Sequence, residues 1–589
     1  MYTNYMNKDI KEFFLNSTHI THRKYEAMRA LCVEKIKAKD VAKRFGYSPF
    51  SINAMKRDFV NAIKNNQIDS RHFFVTKNPG RNPDADKAQL KVKIIRLRKQ
   101  NYSILDIKSA LQAEGNRVSH DYIDRVLSAE GFARLPKRTQ IERKLQFSKI
   151  IKAPRSHSID WNIDKGQLFH SERGIGILPF LPLLARLCVD QWIEFAEYPG
   201  TSELSSVQNV LPFIALKLAG HNRYSQDDLW AMDRGFGLFS GLNVLPKDGT
   251  LSSYSYRTDR HMNRRFLKAM FEQLKKLRLL SSQVNMDFTA IPHWGDASVL
   301  ENNWSGKYGK RLKSVLSVLC QDPDTGIFCY SNAEIRHRNE AECVLEFVDF
   351  WKDGGRKPSC LIFDSKFTTY ENLEKLDKDK IKFITLRRRS KKLLAELHKI
   401  PDEEWSSTKV EGPSRKHMRL KIHESEILLN KTTRYFRQIA VSGNGHEKEA
   451  FILTNDRKRT ASQIIRQYGK RWNVEKGISE QIEFFHLNKL SSSIVVKVDF
   501  DLTMTIAAHN FYRVIAMDLA GFENETSGSL SSKFFDNGGQ FKIENDSIIV
   551  EMKKKRHLQI LMEAIKKYKN IKIPWLEKRK IKYRLWTTS

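Results

Sequence analysis

Few cysteines and no long apolar run set the first limits on this 589-residue sequence. The six cysteines form no Cys-x-x-Cys pair and have no matching histidine spacing, so neither a disulfide framework nor a zinc site is expected. The N-terminus shows no apolar run after a basic segment, so no signal peptide is expected. The most apolar stretch, residues 174–189, contains Pro179, Pro182 and Arg186 and is too short to span a bilayer. These absences argue against a secreted or membrane protein and favour a cytoplasmic one.

Acidic residues are also few relative to basic ones. The chain has 68 Asp and Glu against 102 Lys and Arg, a net charge of +34 that is spread along its length. This balance favours an anionic polymer as partner. A merely soluble basic protein is the alternative, but folded domains rarely tolerate so much self-repulsion. The length predicts three or four domains.

The first predicted domain, residues 1–78, has the pattern of a helix-turn-helix. A short helix is predicted to end at Gly46, and Ser48 followed by Pro49 is typical of the start of the next helix. That second helix is polar and basic, as a recognition helix is. Its candidate DNA-binding residues are Ser51, Asn53, Lys56 and Arg57.

A second helix-turn-helix domain is predicted at residues 84–133, after a stretch with two prolines and a glycine. Its last helix is expected to be capped by Ser119. The candidate DNA-binding residues there are Ser119, His120, Tyr122 and Arg125. Either domain alone could be a plain three-helix bundle. Their repetition, together with the charge, favours binding to double-stranded DNA.

The rest of the chain is predicted to alternate between helical and strand-containing regions, giving a multidomain α+β protein. The predicted regions are a linker at 134–160, a helical pre-core region at 161–280, an α/β core at 281–395, a β-rich insertion at 396–457, a core helix at 458–500 and a helical C-terminal region at 501–589.

The α/β core is predicted to begin near Val284, where the alternating hydrophobic pattern of strands replaces the periodicity of helices. Three predicted strands are followed by a helix, a strand that ends at Asp364, a second helix and a last strand at residues 382–386. This order is that of an RNase H-like fold. In such a fold the first and fourth strands are neighbours at the sheet centre.

Three carboxylates are the candidate catalytic residues: Asp287 in the first strand, Asp364 after the fourth, and Glu475 on a later helix. Helical spacing would place Tyr468, Arg471 and Glu475 on one face. Converging carboxylates repel one another unless divalent cations neutralise them, and hard oxygen ligands select Mg²⁺ or Mn²⁺. Two such ions would suit phosphodiester chemistry.

Rival interpretations exist for several of these positions. Asp296 is an alternative for the first acid, and Glu480 and Glu483 are alternatives for the last. His293 and Trp294 lie next to the predicted site in sequence and are candidates to contact DNA, although a buried core position is favoured for Trp294.

Together these motifs resemble a cut-and-paste insertion-sequence transposase of the DDE superfamily. The resemblance is to the branch whose last acid lies in a Tyr-x2-Arg-x3-Glu-x6-Lys signature, matched by Tyr468, Arg471 and Glu475. The signature lysine is missing, because position 482 is Ile. Lys489 and Lys476 are the candidates to replace it in contacting DNA.

The resemblance implies a metal-dependent enzyme with two Mg²⁺ ions, or Mn²⁺ in their place, held by the three carboxylates. It implies that the protein binds the inverted repeats at the ends of a mobile element, in a prokaryotic nucleoid, as a homodimer on DNA. Two alternatives remain open. One is a non-catalytic DNA-binding regulator derived from a transposase, and the other is an RNase H-like nuclease without strand transfer.

Overall fold

The computed structural model divides the chain into two compact units, residues 1–93 and residues 94–589. The residues it describes are 20–64, 85–99, 102, 104–113, 116, 118–132, 166–221, 230, 232–293, 300–305, 308–335, 340–367, 369–410, 418–443, 449–487 and 495–586. The predicted linker at 134–160 lies outside them.

The described part of the first unit begins with three helices. They are α1 (Ile20–Cys32), α2 (Ala38–Phe45) and α3 (Pro49–Lys64). Gly46 follows α2 with φ 68°, a conformation that glycine adopts without steric cost. Ser48 Oγ accepts a hydrogen bond from the Ser51 amide at 3.0 Å at the start of α3. Both ends are where the sequence predicts them, and Val41 and Phe45 lie in the small apolar core.

Three further helices follow. They are α4 (Ala85–Lys99), α5 (Ile104–Ala113) and α6 (His120–Ala129). Ser119 Oγ accepts a hydrogen bond from the Tyr122 amide at 3.2 Å, so the predicted cap of α6 is confirmed. Ile107, Ile123 and Leu127 are buried, which is expected where α5 and α6 pack against each other.

Helices dominate residues 166–280, as predicted, with one short strand before them. The elements are β1 (Leu168–Ser171), α7 (Gly174–Ile177), α8 (Phe180–Leu187), α9 (Val189–Phe195), α10 (Ser206–Leu218), α11 (Arg234–Phe239), α12 (Asp248–Tyr254) and α13 (Arg260–Lys276). No single helix among the described residues is long and apolar enough to cross a membrane. One pair, Gly174–Leu187 and Val189–Phe195, bent by 61°, has the length and composition together. Its apolar side chains, Leu181 and Leu184 among them, are buried in the protein core.

A mixed sheet forms the α/β core. Its elements are β2 (Gln283–Pro292), β3 (Asn302–Ser305), β4 (Lys310–Gln321), β5 (Phe328–Ile335), α14 (Cys343–Lys352), β6 (Cys360–Phe363), α15 (Tyr370–Lys378), β7 (Lys382–Leu386) and α16 (Lys391–Leu397). Strand β2 pairs with β4 in antiparallel and with β6 in parallel orientation. β5 pairs with β4, and β7 with β6. The first and fourth predicted strands are therefore neighbours.

The insertion continues this sheet. Its strands are β8 (Ser406–Val410), β9 (Met418–Leu428), β10 (Tyr435–Ser442) and β11 (Ala450–Thr454). Strand β11 pairs with β7 in antiparallel orientation, so the strand order is β3-β4-β2-β6-β7-β11-β10-β9-β8, with β5 on β4. Without β11, β7 would be an edge with unpaired backbone groups. The insertion thus completes the core sheet on the β7 side.

The C-terminal region is not helical throughout, so that prediction is wrong. The remaining elements are α17 (Ala461–Gly469), α18 (Trp472–Glu483), α19 (Val495–Ala516), α20 (Ser527–Leu530), β12 (Gly539–Ile543), β13 (Ser547–Met552), α21 (Leu558–Ile565) and β14 (Lys580–Leu585). Strand β1 pairs with β12, and the second sheet has the order β1-β12-β13-β14. Strand β14 and strand β13 from Ile548 onward alternate between buried and more exposed side chains, which favours a sheet with one covered face.

Helix α19 joins the helical region to the core sheet through one buried carboxylate. Asp499 is fully buried and accepts hydrogen bonds from Arg260 at 3.2 Å, Asn263 at 2.7 Å and the Ala333 amide at 2.9 Å. These donors belong to α13 and β5. A buried carboxylate needs such partners, so α19 is fixed against both elements.

Candidate active site

Two aspartates lie side by side at the centre of the core sheet. In the parallel pairing of β2 with β6, Met286 is opposite Phe363, and Asp287 and Asp364 are the next residues of the two strands. The rings of Phe288 and Phe367 stack nearby with centroids 3.8 Å apart. The strand pairing therefore gives the two carboxylates a common location.

The backbone orients each of these carboxylates. Asp287 Oδ1 accepts a hydrogen bond from the Phe288 amide at 2.8 Å, and Asp364 Oδ1 accepts one from the Ser365 amide at 2.7 Å. In each case the donor is the next residue in the chain. One oxygen of each aspartate is thereby held, and the other remains for a further partner.

The segment that carries Glu475 is not the single continuous helix that the sequence predicts. Helix α17 ends at Gly469 and α18 begins at Trp472. The Lys470 carbonyl accepts from the Asn473 amide at 3.0 Å and from Asn285 Nδ2 at 2.8 Å. In a continuing α-helix that carbonyl would accept from residue 474. The side chain of Asn285 therefore stabilises the break.

Arg471 lies at this break and links two of the three candidate acids. Its Nη1 donates to Asp287 Oδ2 at 2.8 Å, and its Nη2 donates to Glu475 Oε1 at 2.8 Å. The guanidinium also lies 5.6 Å from the centroid of the Tyr468 ring. Only 11% of the Arg471 side chain is exposed, against 16% for Asp287 and 50% for Glu475. The predicted association of Tyr468, Arg471 and Glu475 therefore exists, although across two helices.

Burial and charge shift the pKa values in this cluster. Burial raises the pKa of Asp287 to about 6, and the opposing effects of Arg471 and the Phe288 amide only partly offset it. Burial likewise raises the pKa of Tyr468 to about 12. For Arg471, burial alone would lower the pKa, but Tyr468, Asp287 and Glu475 outweigh it and raise the value. The guanidinium is thus a permanent cation at the site.

The carboxylates do not form a preassembled metal-binding cluster. Among the residues that the structure describes, no group of three His, Cys, Asp or Glu side chains is arranged to hold a metal ion. Instead, Arg471 supplies the positive charge between Asp287 and Glu475. The oxygen donors are of the type that Mg²⁺ or Mn²⁺ prefers, so the donor chemistry fits such an ion while the observed pairing competes with it.

The paired aspartates and the Arg471 bridge lie in one continuous part of the chain. Residues 287–511 match the transposase DDE domain family. The match begins at Asp287 and also contains Asp364, Arg471 and Glu475, and it supports a transposase of the DDE superfamily. It spans less than half of the chain, so the N-terminal helices and the second sheet lie outside it. No curated protein matches the chain.

Of the rival acids to Glu475 in the matched segment, one has a structural role. Glu480 Oε2 accepts from both the amide and the hydroxyl of Ser527 at 3.0 Å and lies 3.7 Å from His509 Nε2. Glu483 is exposed on α18. Neither contacts Arg471 among the described residues. Asp296, Trp294 and Lys489 lie outside the described residues, and Lys476 is exposed on α18.

The predicted DNA-binding residues of the N-terminal helices have surface positions in the structure. Their exposed members are Asn53, Lys56, Arg57, Ser119, His120 and Arg125, whereas Ser51 and Tyr122 are half-buried. Ser51 and Ser119 also contribute to the helix starts described above, and Arg125 Nε donates to the Asp121 carbonyl at 3.1 Å. Arg57 Nε likewise lies 3.5 Å from Asp58 Oδ1, so both arginines have a partner on their own helix.

Sequence reasoning missed the residues that dock the break onto the core. Besides the Asn285 contact, Lys470 Nζ donates to Asp324 Oδ1 at 2.7 Å, and Asn473 Nδ2 donates to the Pro323 carbonyl at 3.1 Å. Asp324 and Pro323 belong to the turn between β4 and β5. Asn285 was detectable, because residues two apart in a strand share a face and Asn285 precedes Asp287 by two. No sequence pattern indicates the contacts of Lys470 and Asn473 with the turn between β4 and β5.

Gly477 is expected to control how closely α18 approaches the sheet. A Cβ atom at this position would lie 2.6 Å from Gln321 Nε2 and 2.8 Å from Phe328 Cζ, and Phe328 is fully buried. We expect Gly477→Ala to lower the free energy of unfolding by roughly 1–3 kcal/mol, because overpacking outweighs the better helix propensity of alanine. Denaturant titration measures this effect.

Gly469→Ala is the matched control, since a Cβ there would have no neighbour within 4 Å. It should leave the free energy of unfolding unchanged or raise it by up to about 1 kcal/mol, because alanine has the better helix propensity and meets no steric conflict there. Equal stability of the two variants would show that the close packing of α18 does not restrict position 477.

Proposed function

We propose that this protein is a DNA transposase that binds the terminal inverted repeats of a mobile element and cleaves and joins DNA by a cut-and-paste route. One observation carries the proposal. Asp287 and Asp364 follow directly paired positions of parallel neighbouring strands, and Arg471 connects Asp287 to Glu475. This arrangement lies within the segment that matches a transposase DDE domain.

The core is proposed to be RNase H-like. Its strands β5, β4, β2, β6 and β7 lie in that order, with β2 next to β4 in antiparallel and next to β6 in parallel orientation. Helix α14 precedes β6, and α15 precedes β7. Apart from the additional short strand β3, this order is the one expected from the sequence. It supports the assignment of Asp287 and Asp364 as the first two acids.

Asp287, Asp364 and Glu475 would hold the divalent cations, Mg²⁺ or Mn²⁺. Such ions supply activation of a water or 3′-hydroxyl and charge stabilisation at the leaving oxygen. Asp287 and Asp364 each have one oxygen fixed by the next backbone amide, which orients the other. Arg471 would have to release at least one carboxylate when a cation binds. A DNA phosphate is a suitable alternative partner for its guanidinium.

Arg471 and Tyr468 are proposed to position the DNA backbone. The guanidinium has planar, bidentate donor geometry, which suits phosphate. Tyr468 lies beside it and restricts its orientation through the ring contact. The rigid attachment of the break by Asn285 would keep both residues at a constant distance from Asp287.

The N-terminal helices are proposed to be two helix-turn-helix DNA readers. The helix starts at Pro49 and His120 and the exposed polar side chains on α3 and α6 support this assignment. Lys489 and Lys476 are proposed as further DNA contacts of the core. Coordinated cleavage of two DNA ends requires that both be held together, so a homodimer on double-stranded DNA is proposed. We place the protein in the cytoplasm of a prokaryote, at the nucleoid.

A labelled double-stranded DNA carrying the element's own ends tests this proposal. In Mg²⁺ the wild type should cut at the ends and join them to target DNA, whereas Asp364→Asn should bind equally and do neither. Asp353→Asn, which removes an exposed carboxylate, is the control and should behave as wild type. Cutting without joining would favour the nuclease alternative. Tight binding of the ends without cutting by any protein would favour the regulator.

A further inference from the structure

The second sheet has one covered face and one outer face. In β14 the buried or inward residues Ile581, Tyr583 and Leu585 alternate with three cations. Lys542 of β12 has the corresponding outward position, since its neighbours Phe541 and Ile543 are buried. We call the outward side chains of β12, β13 and β14 the C-terminal face. Its cations are Lys542, Lys580, Lys582 and Arg584.

The strand register arranges these cations in rows. Lys542 is paired with Ile549, which is paired with Lys582, so the two lysines lie two strands apart, about 10 Å. Lys580, Lys582 and Arg584 follow one another along β14 at every second residue, about 6.6 Å apart. Three of the charges therefore lie in a line along β14, and Lys542 lies about 10 Å to one side of that line.

One acid lies among these cations, because Glu551 is the register partner of Arg584. Lys542 and Lys582 are paired in register with Ile549, and Lys580 with Ser547. In the part of the chain that the structure describes, none of the four cations forms an ion pair, although many other lysines and arginines do, such as Lys533 with Glu525 and Arg579 with Glu577. The one acid among the outward residues of these strands, Glu551, accepts a hydrogen bond from Gln540 Nε2. One acid against four cations leaves the face with a net positive charge, and closely spaced like charges destabilise a fold, so a counter-charge from outside is expected.

The edge of the face adds one more cation. Lys553 Nζ lies 5.6 Å from the centroid of the Trp586 ring, at the end of β14. The Trp586 amide donates to the Met552 carbonyl at 2.8 Å, and its ring lies 5.9 Å from that of His170 on β1. These contacts hold the end of β14 in place. Lys553 adds a positive charge beyond that end.

We propose that the C-terminal face binds the phosphate backbone of double-stranded DNA, as a site separate from the matched domain at residues 287–511. The shape and charge of the face suit a regular polyanion, because it presents cations at repeated spacing and few apolar groups. Direct base reading is not expected, since phosphate contacts carry no sequence information. The identity of the polyanion as DNA rests on the proposed function.

The salt dependence of DNA binding tests this site. Full-length protein and a labelled duplex of random sequence, in EDTA so that no cleavage occurs, are titrated at several salt concentrations. The variant Lys542→Gln/Lys582→Gln/Arg584→Gln should bind at least tenfold more weakly at low salt. The slope of log affinity against log salt should fall by roughly 2.7, about 0.9 for each lost phosphate contact.

The control variant Arg356→Gln/Lys375→Gln/Lys380→Gln removes the same charge from exposed positions elsewhere. It should keep the wild-type slope. Equal slopes for both variants would overturn the proposal. Binding to anionic phospholipid vesicles is measured in parallel, and a C-terminal-face variant that loses vesicle binding while it keeps wild-type DNA binding would also overturn it. Equal thermal unfolding temperatures of the variants and wild type verify folding.

Failure of this site and failure of the proposed function give different results. If the slope is unchanged but the wild type cuts and joins DNA, the C-terminal face is not a DNA site and the transposase proposal stands. If the slope falls as expected but no protein cuts DNA in Mg²⁺, the face stands as a DNA site and the catalytic proposal fails.

Discussion

Glu475→Gln is expected to slow DNA cleavage and joining sharply while leaving DNA binding intact. Glutamine keeps the shape of the side chain and an oxygen that can accept from Arg471 Nη2, so the bridge at 2.8 Å need not be lost. What is lost is the negative charge required to hold a divalent cation. We expect the cleavage rate to fall by roughly 10²- to 10³-fold, the scale of removing one electrostatic stabiliser. Gel assays measure cleavage, and anisotropy measures binding.

Glu483→Gln is the matched control, because it makes the same chemical change on an exposed side chain of the same helix. It should retain the wild-type cleavage rate. Loss of cleavage in Glu483→Gln with normal activity in Glu475→Gln would transfer the role of the last acid to Glu483. Weakened DNA binding by Glu475→Gln would instead assign Glu475 to DNA contact or to folding.

The core strands were predictable because burial imposes clear patterns on them. The last core strand was predicted at residues 382–386, which are the bounds observed for β7. The strand before Asp364, predicted at residues 359–363, begins one residue later in the structure. Strands at the centre of a sheet are apolar over most of their length and end at polar residues. The location of Asp287 and Asp364 follows from that pattern together with the strand order.

The helix break and the second sheet were not predictable by the same reasoning. The break depends on the Asn285 side chain, which is 185 residues from Lys470 in sequence. Pairing of β1 with β12 joins segments that are still further apart. Strand β14 did carry a local signal, since Lys580 to Leu585 alternate strictly between charged and apolar or aromatic residues. This strand pattern was overlooked because the C-terminal region was predicted to be helical throughout.

Arg471→Gln is expected to strengthen metal binding by the free protein while it weakens catalysis. In the structure the guanidinium neutralises Asp287 and Glu475 through two hydrogen bonds of 2.8 Å. Hydrogen bonds to charged groups contribute about 1.5–3 kcal/mol each, so a cation that displaces even one has to overcome that energy. Without Arg471, we expect Mn²⁺ to bind at least roughly tenfold more tightly in the absence of DNA. Electron paramagnetic resonance of free Mn²⁺ measures this affinity directly.

The same variant should be less stable without metal. Asp287 is largely buried, and removing the partner of a buried charge typically costs about 3 kcal/mol or more. Mn²⁺ should restore much of this loss in Arg471→Gln and have a smaller effect on wild type, because ligand binding to the folded state raises its stability. Thermal unfolding with and without Mn²⁺ tests this expectation independently of activity.

Lys476→Gln separates this specific effect from a general loss of positive charge. Lys476 is exposed and adjacent to Glu475, so its removal changes the net charge equally but leaves the Arg471 bridge in place. Its Mn²⁺ affinity should stay near the wild-type value. If both variants gain affinity equally, the gain reflects the overall field of the protein. If only Arg471→Gln gains, the arginine itself competes with the metal. DNA, by drawing the guanidinium to a phosphate, would then raise the Mn²⁺ affinity of wild type and not that of the variant.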